Sequence, residues 1–129
     1  MKSGKAARTE QIVPDRPRVR PPSRSDVRRL TAQMVDRIVA RFQPERIVLF
    51  GSYARGTAGP DSDVDLLVVM PVAGSKLEKQ VEIRVALHDI RFPKDVIVVT
   101  PEEWRAQRTI PGTVVRPARL EGRVLYERT

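Results

Sequence analysis

Three short apolar runs limit what this chain can fold into: Arg46–Phe50, Val64–Met70 and Asp95–Val99. Gly51-Ser52 halts the first, Pro71 and Gly74 the second, and Thr100-Pro101 the third. Runs of this length bounded by turn residues read as buried strands, and they are too short to span a bilayer. The remaining patterned segments have helical period. Ser25 is placed to cap a helix over about 26–42, in which Val27, Leu30, Met34, Val35, Ile38 and Phe42 make one apolar stripe before Pro44 ends it. Residues 76–90 are ambiguous. Val81, Ile83, Val85 and Leu87 alternate as in a strand, but the length and the Lys, Glu, Leu and Ala content favour a helix.

Thr100, with Pro101 at the first helical position and Glu103 in the capping-box place, starts a helix through about Arg108. A further short helix is expected near Thr113–Leu120, stopped by Gly122, and Val124–Tyr126 forms a last strand. The order helix, strand, strand, helix, strand, helix, helix, strand predicts an α+β fold: a small mixed sheet with helices packed on one face.

The chain has 129 residues and a formal net charge of +8, which on its face suggests an anionic partner. Residues 1–24 hold seven bases and two acids, so +5 sits there and only +3 on the rest. That leader, with Pro14, Pro17, Pro21 and Pro22 and almost no apolar period, reads as a flexible arm ahead of a domain over 25–129. It suits contact with RNA or an acidic partner. Without interleaved aromatics to stack on bases, nucleic acid is not expected as the main partner. Cysteine is absent and histidine occurs once, which excludes disulfide scaffolds, thiol catalysis and Cys- or His-rich metal sites. No charged-then-apolar segment opens the chain, so a cytoplasmic location without membrane contact is expected.

Chemistry concentrates in Gly51-Ser52-Tyr53-Ala54-Arg55-Gly56 and in Asp61-Ser62-Asp63-Val64-Asp65. Side chains alternate along a strand, so Asp63 and Asp65 share a face, ~6–7 Å apart along the backbone. Two carboxylates at a strand's entrance repel unless a cation lies between them, and hard oxygen ligands suit Mg²⁺. Asp95 also opens an apolar strand. If that strand pairs beside the one from Val64, three carboxylates can hold two metal ions, the arrangement used for in-line nucleotidyl transfer. A glycine after a strand lets backbone N–H groups approach a phosphate, Ser52 adds a hydroxyl, and Arg55 adds charge. Each feature alone is a common turn or a surface acid; their conjunction at this spacing points to a site for a triphosphate and metal.

Gly51-Ser52, ten residues, then Asp63-x-Asp65 resembles the signature of the DNA polymerase β-type nucleotidyltransferases. The fuller text GSYARGTAGPDSDVDLLVVM, with KDVIVVTPEEW and GRVLYE downstream, resembles the minimal nucleotidyltransferase (MNT) antitoxins encoded beside HEPN-domain toxins. The resemblance runs over about residues 25–127 and omits the arm. It implies the polymerase β-like fold and Mg²⁺-dependent transfer of AMP from ATP to a tyrosine hydroxyl of the partner toxin. Gly51 and Ser52 would hold the triphosphate, Asp63 and Asp65 the metals, and Asp95 would be third carboxylate and base.

The chain stops soon after this core, with no second domain to shape an acceptor pocket, so acceptor recognition is expected from another protein. Two other readings fit the residues: a binding-only antitoxin that occludes its partner, and adenylyl transfer to a small molecule or an RNA end. His88 reads as a surface residue and Trp104 as core packing. Arg105, Arg108, Arg116, Arg119 and Arg123 read as solvated surface, and Tyr53 and Tyr126 as packing residues.

Overall fold

The computed structural model describes residues 23–107 and 110–129. The arm expected over 1–24, except Ser23 and Arg24, lies outside the described residues, as does Arg108. In chain order the elements are α1 (Arg24–Phe42), β1 (Arg46–Phe50), α2 (Gly51–Arg55), β2 (Val64–Val69), α3 (Lys76–Ala86), β3 (Lys94–Val99), α4 (Pro101–Gln107), α5 (Val115–Glu121) and β4 (Arg123–Glu127).

Helix α1 begins two residues before the expected start because Ser23, not Ser25, caps it. Ser23 Oγ accepts from the Asp26 N–H at 3.1 Å and the Asp26 carboxylate accepts from the Ser23 N–H at 3.3 Å. Ser25 has Arg28 three residues on and cannot make that reciprocal pair. At the other end Gln43 takes a left-handed conformation, φ 52°, ahead of Pro44.

The ambiguous segment is a helix. Ser75 Oγ caps it by accepting from the Glu78 N–H at 3.1 Å. The apparent strand alternation divides by helical geometry, with Ile83 and Leu87 buried while Val81 and Val85 face out. Burying each of the inward pair is worth ~1.5–3 kcal/mol. The helix stops at Ala86 rather than Ile90, where Arg37 of α1 donates to the Ala86 carbonyl at 2.8 Å and pairs with Asp89 at 2.6 Å.

The four strands form one mixed sheet in the order β3-β2-β1-β4. β1 pairs antiparallel with β2 and β4, with a register shift opposite Ile47–Val48, and β2 pairs parallel with β3. α3 closes the free edge of β3. Gln80 Oε1 accepts from the Val98 N–H at 2.9 Å, and Arg84 reaches the Val96 carbonyl at 3.4 Å.

The α+β class and mixed sheet are as the sequence predicts, while the helices cover both faces rather than one. Met34, Ile38, Ile83 and Leu87 of α1, α3 and its C-cap pack on Ile47, Val64, Leu66 and Val96. On the opposite face Trp104 of α4 and Val115 and Ala118 of α5 pack on Val48, Leu67, Val69 and Val99. These strands are apolar on both sides, so the second face needed cover too. Trp104 is a packing residue, 8% exposed, with the Arg46 guanidinium 5.4 Å from its ring centroid. His88 is exposed, and Tyr53 packs against the core in a T-shaped contact with Phe92. No helix among the described residues is long and apolar enough to cross a membrane.

Candidate active site

β1 runs straight into α2 through Gly51, whose φ is +75°, a conformation that disfavours any side chain. Phe50 at the strand's end is opposite Asp65 in the β1–β2 register. Gly51 therefore lies against the Asp65 carboxylate, and a Cβ there would stand 2.1 Å from Oδ2. No side chain caps the N-terminus of α2, so its first N–H groups remain available beside that carboxylate. Gly56 ends α2 with φ +80°, and the Gly59–Ser62 turn, closed by Gly59 N–H to Ser62 Oγ at 2.8 Å, delivers Asp63 to the start of β2.

Asp65 and Asp95 are register partners on neighbouring parallel strands. Leu66, Val64 and Val96 point to the α1–α3 face, so alternation sends Asp63, Asp65 and Asp95 to the face that α4 and α5 cover in part. Burial, then the charges of Asp95 and Asp63, hold the Asp65 carboxyl above the usual carboxylate range, with Arg55 pulling the other way. Three acids thus crowd one strand end with their repulsion only partly offset. That donor set fits a hard divalent cation, whose charge would relieve the repulsion.

Two contacts here left no trace in the sequence pattern. Arg84 of α3 donates from Nη2 to Asp95 Oδ1 at 2.5 Å. Eleven residues apart in an otherwise ordinary helix-to-strand segment, the pair has no motif that would announce it. Arg55 forms an ion pair with Glu121 of α5 at 3.5 Å, so it stands at the rim of the carboxylate group rather than pointing only at it. As placed, no three acidic or histidine side chains among the described residues converge into a metal cage. The structure brings Gly51, Asp63, Asp65 and Asp95 to one strand end, with Ser52 next to Gly51 in the first turn of α2.

Residues 32–123 match the family model described as a nucleotidyltransferase domain. The chain belongs to the nucleotidyltransferase domain family. The matched stretch contains the glycine, the serine and all three carboxylates. Over 42 residues, 33% of this chain, it is 45% identical to a Methanocaldococcus jannaschii protein that carries the provisional name of protein adenylyltransferase. The match spans 42% of that relative's length. A Sulfolobus solfataricus protein provisionally named a nucleotidyltransferase has the same fold, with TM-score 0.54 and 21% identity over 78% of this chain and 79% of that one. A toxin–antitoxin structure with AMP-PNP is also similar at TM-score 0.49 and 21% identity, over 76% of this chain and 73% of that one.

Proposed function

We infer that this nucleotidyltransferase is a protein adenylyltransferase that acts as an antitoxin in the cytoplasm. Its acceptor is a tyrosine hydroxyl of a HEPN-family toxin encoded by the adjacent gene. The tyrosine oxygen attacks the α-phosphorus of ATP, the bond from that phosphorus to the α,β-bridging oxygen breaks, and pyrophosphate departs. Asp95 takes the tyrosine proton. The N–H groups at Gly51 and Ser52, with the Ser52 hydroxyl, bind the triphosphate, and Arg55 adds positive charge at its edge. Asp63, Asp65 and Asp95 would hold two Mg²⁺ ions, which supply Lewis-acid stabilisation of charge on the transferring phosphoryl group.

The observation that carries this reading is the meeting of Gly51, Asp65 and Asp95 at one strand end. Support for the adenylyl group comes from the relative provisionally named for that activity. The antitoxin role is supported by the sequence pattern spanning GSYARGTAGPDSDVDLLVVM. Incubation with ATP, Mg²⁺ and the co-purified adjacent-gene product is expected to add adenylyl groups to that product, seen by intact mass. Asp63→Asn should abolish the addition. An unchanged toxin mass, or equal transfer by Asp63→Asn, would overturn the reading. Full neutralisation of the toxin by a triple Asp63/Asp65/Asp95→Asn variant would replace it with a binding-only antitoxin.

A further inference from the structure

A cavity lies on the α1 side of the sheet, opposite the face that carries the carboxylates, and shares Arg55 with the rim of that site. It has a volume of about 740 Å³ and sits between the first half of α1, the back of α2, the 56–60 loop and β4. Its floor is aliphatic, from Val27, Leu49 and Leu125, and Arg24, Arg28 and Arg123 are exposed around it. Arg24 and Arg28 stand one helical turn apart on α1, and Arg123 opens β4. Among the described residues these three have no ion-pair partner, as is also true of Arg41, Arg91 and Arg119 elsewhere, but only here do three such groups border one cavity. Asp36 is the single acid in the lining.

We propose that this cavity docks an acidic, aliphatic segment of a protein partner. Three unpaired guanidinium groups over an apolar floor match a chain that carries carboxylates beside leucine- or valine-like side chains. The residues ahead of Ser23 have the wrong sign to fill it, with six bases against two acids. Nucleic acid is the poorer match. The lining's arginines can meet phosphates or guanine, but its one aromatic, Tyr53, is packed against the Phe92 ring, and an aliphatic floor gives bases no surface to stack on.

The position also suits a partner that must present an acceptor. Pro60 lines the cavity, and three residues later the same loop delivers Asp63 to the carboxylate face. A segment seated here grips the back of the loop whose far end belongs to the active site. This deepens the reading of a protein acceptor made above, but its test needs no transfer chemistry.

The full chain is panned, without ATP, against a random short-peptide library, and an enriched peptide is synthesised with a fluorophore for anisotropy. The expected consensus combines Asp or Glu with aliphatic residues, and replacing its acids by Gln or Asn should abolish binding. The double variant Arg28→Glu/Arg123→Glu, at exposed positions, should weaken the peptide about tenfold or more, since two attractions become repulsions. Arg41→Glu/Arg91→Glu, with the same net charge change on exposed sites outside the cavity, should bind as the parent does. Circular dichroism checks that both variants fold, and ATP binding should be retained by both. Absence of an acidic consensus, equal binding by Arg28→Glu/Arg123→Glu, or an equal loss in the Arg41→Glu/Arg91→Glu control overturns the proposal. So does displacement of the peptide by oligoadenylate, which would assign the cavity to nucleic acid.

Discussion

Arg84 Nη2 lies 2.5 Å from Asp95 Oδ1, joining the outer helix α3 to the third carboxylate of the active site. The pair is half-exposed, 42% and 43% by side chain, so it contributes little to stability. Its importance is electrostatic and local, because Arg84 is the cation that a bound divalent ion must share Asp95 with. Arg84→Gln is expected to leave the melting temperature nearly unchanged and to tighten Mn²⁺ binding about two- to fivefold, the equivalent of ~0.4–1 kcal/mol for an exposed pair. Titration of Mn²⁺ by electron paramagnetic resonance, without nucleotide, reads this directly. Unaltered or weaker Mn²⁺ binding would show that Arg84 does not compete for Asp95.

Gly51 and Gly56 share a left-handed backbone but differ in what surrounds them. A Cβ at Gly56 meets nothing within 4 Å, whereas one at Gly51 would stand 2.1 Å from Asp65 Oδ2 and 3.0 Å from Cγ. Gly56→Ala should therefore cost about 1–2 kcal/mol, the conformational penalty alone, and retain activity. In Gly51→Ala the Asp65 side chain must swing aside, which relieves part of the clash and displaces the carboxylate. Displacements of this kind cost on the order of 100-fold in rate. Paired urea unfolding and nucleotide-turnover measurements on the two variants separate the effects, and equal activity in both would contradict the close approach of Gly51.

Asp65 gives the site a pH signature. Its carboxyl is held above the usual range by burial first, then by Asp95 and Asp63. A raised carboxylate binds its proton more readily in the folded than in the unfolded state, so its charge opposes folding at neutral pH. That opposition is relieved as pH falls through the folded value, and it is gone below the unfolded one. Asp65→Asn should accordingly melt higher than the parent near neutral pH, with the difference shrinking as the buffer is made acidic. Saturating Mn²⁺ should likewise raise the parent's melting temperature and not that of Asp65→Asn. A difference that grows on acidification would reverse the sign of the argument.

Much of this architecture is legible in the sequence because apolar runs and turn residues carry it. The three strands expected at 46–50, 64–70 and 95–99 occur at 46–50, 64–69 and 94–99, and Thr100 and Glu103 make the anticipated capping box. The register of Asp65 opposite Asp95 follows once the parallel pairing is known. What stayed hidden depends on contacts distant in sequence. Helix α2 is five residues long and begins on a positive-φ glycine, too short for any periodicity to show. The second covered face comes from α4 and α5, each of which buries two residues, Pro101 and Trp104 in one and Val115 and Ala118 in the other, too few to make a stripe. The Arg84–Asp95 pair and the arginines converging from α1 and β4 are products of topology alone.

Gly122 shows how a correct sequence signal can have a different physical cause. It reads as a helix stop, a role usually tied to left-handed backbone, but its φ is −80°, open to any residue. The constraint is space. A Cβ at Gly122 would meet the Ala118 carbonyl oxygen at 2.3 Å, Val48 Cγ1 at 2.6 Å and the Leu49 carbonyl oxygen at 2.9 Å. Two of those atoms are backbone, one in α5 and one in the central strand β1, so no rotamer change can relieve the contact. Gly122→Ala should force α5 and β4 away from β1 and destabilise the fold by about 1–3 kcal/mol, the range for overpacking. Gly59→Ala, with nothing within 4 Å, is the matched control and should be close to neutral. Chemical denaturation of both variants decides it: a Gly122→Ala midpoint equal to the Gly59→Ala midpoint would mean that α5 does not pack on β1 as closely as described. Because α5 also carries Glu121, the ion-pair partner of Arg55, the same displacement should loosen the active-site rim and reduce nucleotide turnover.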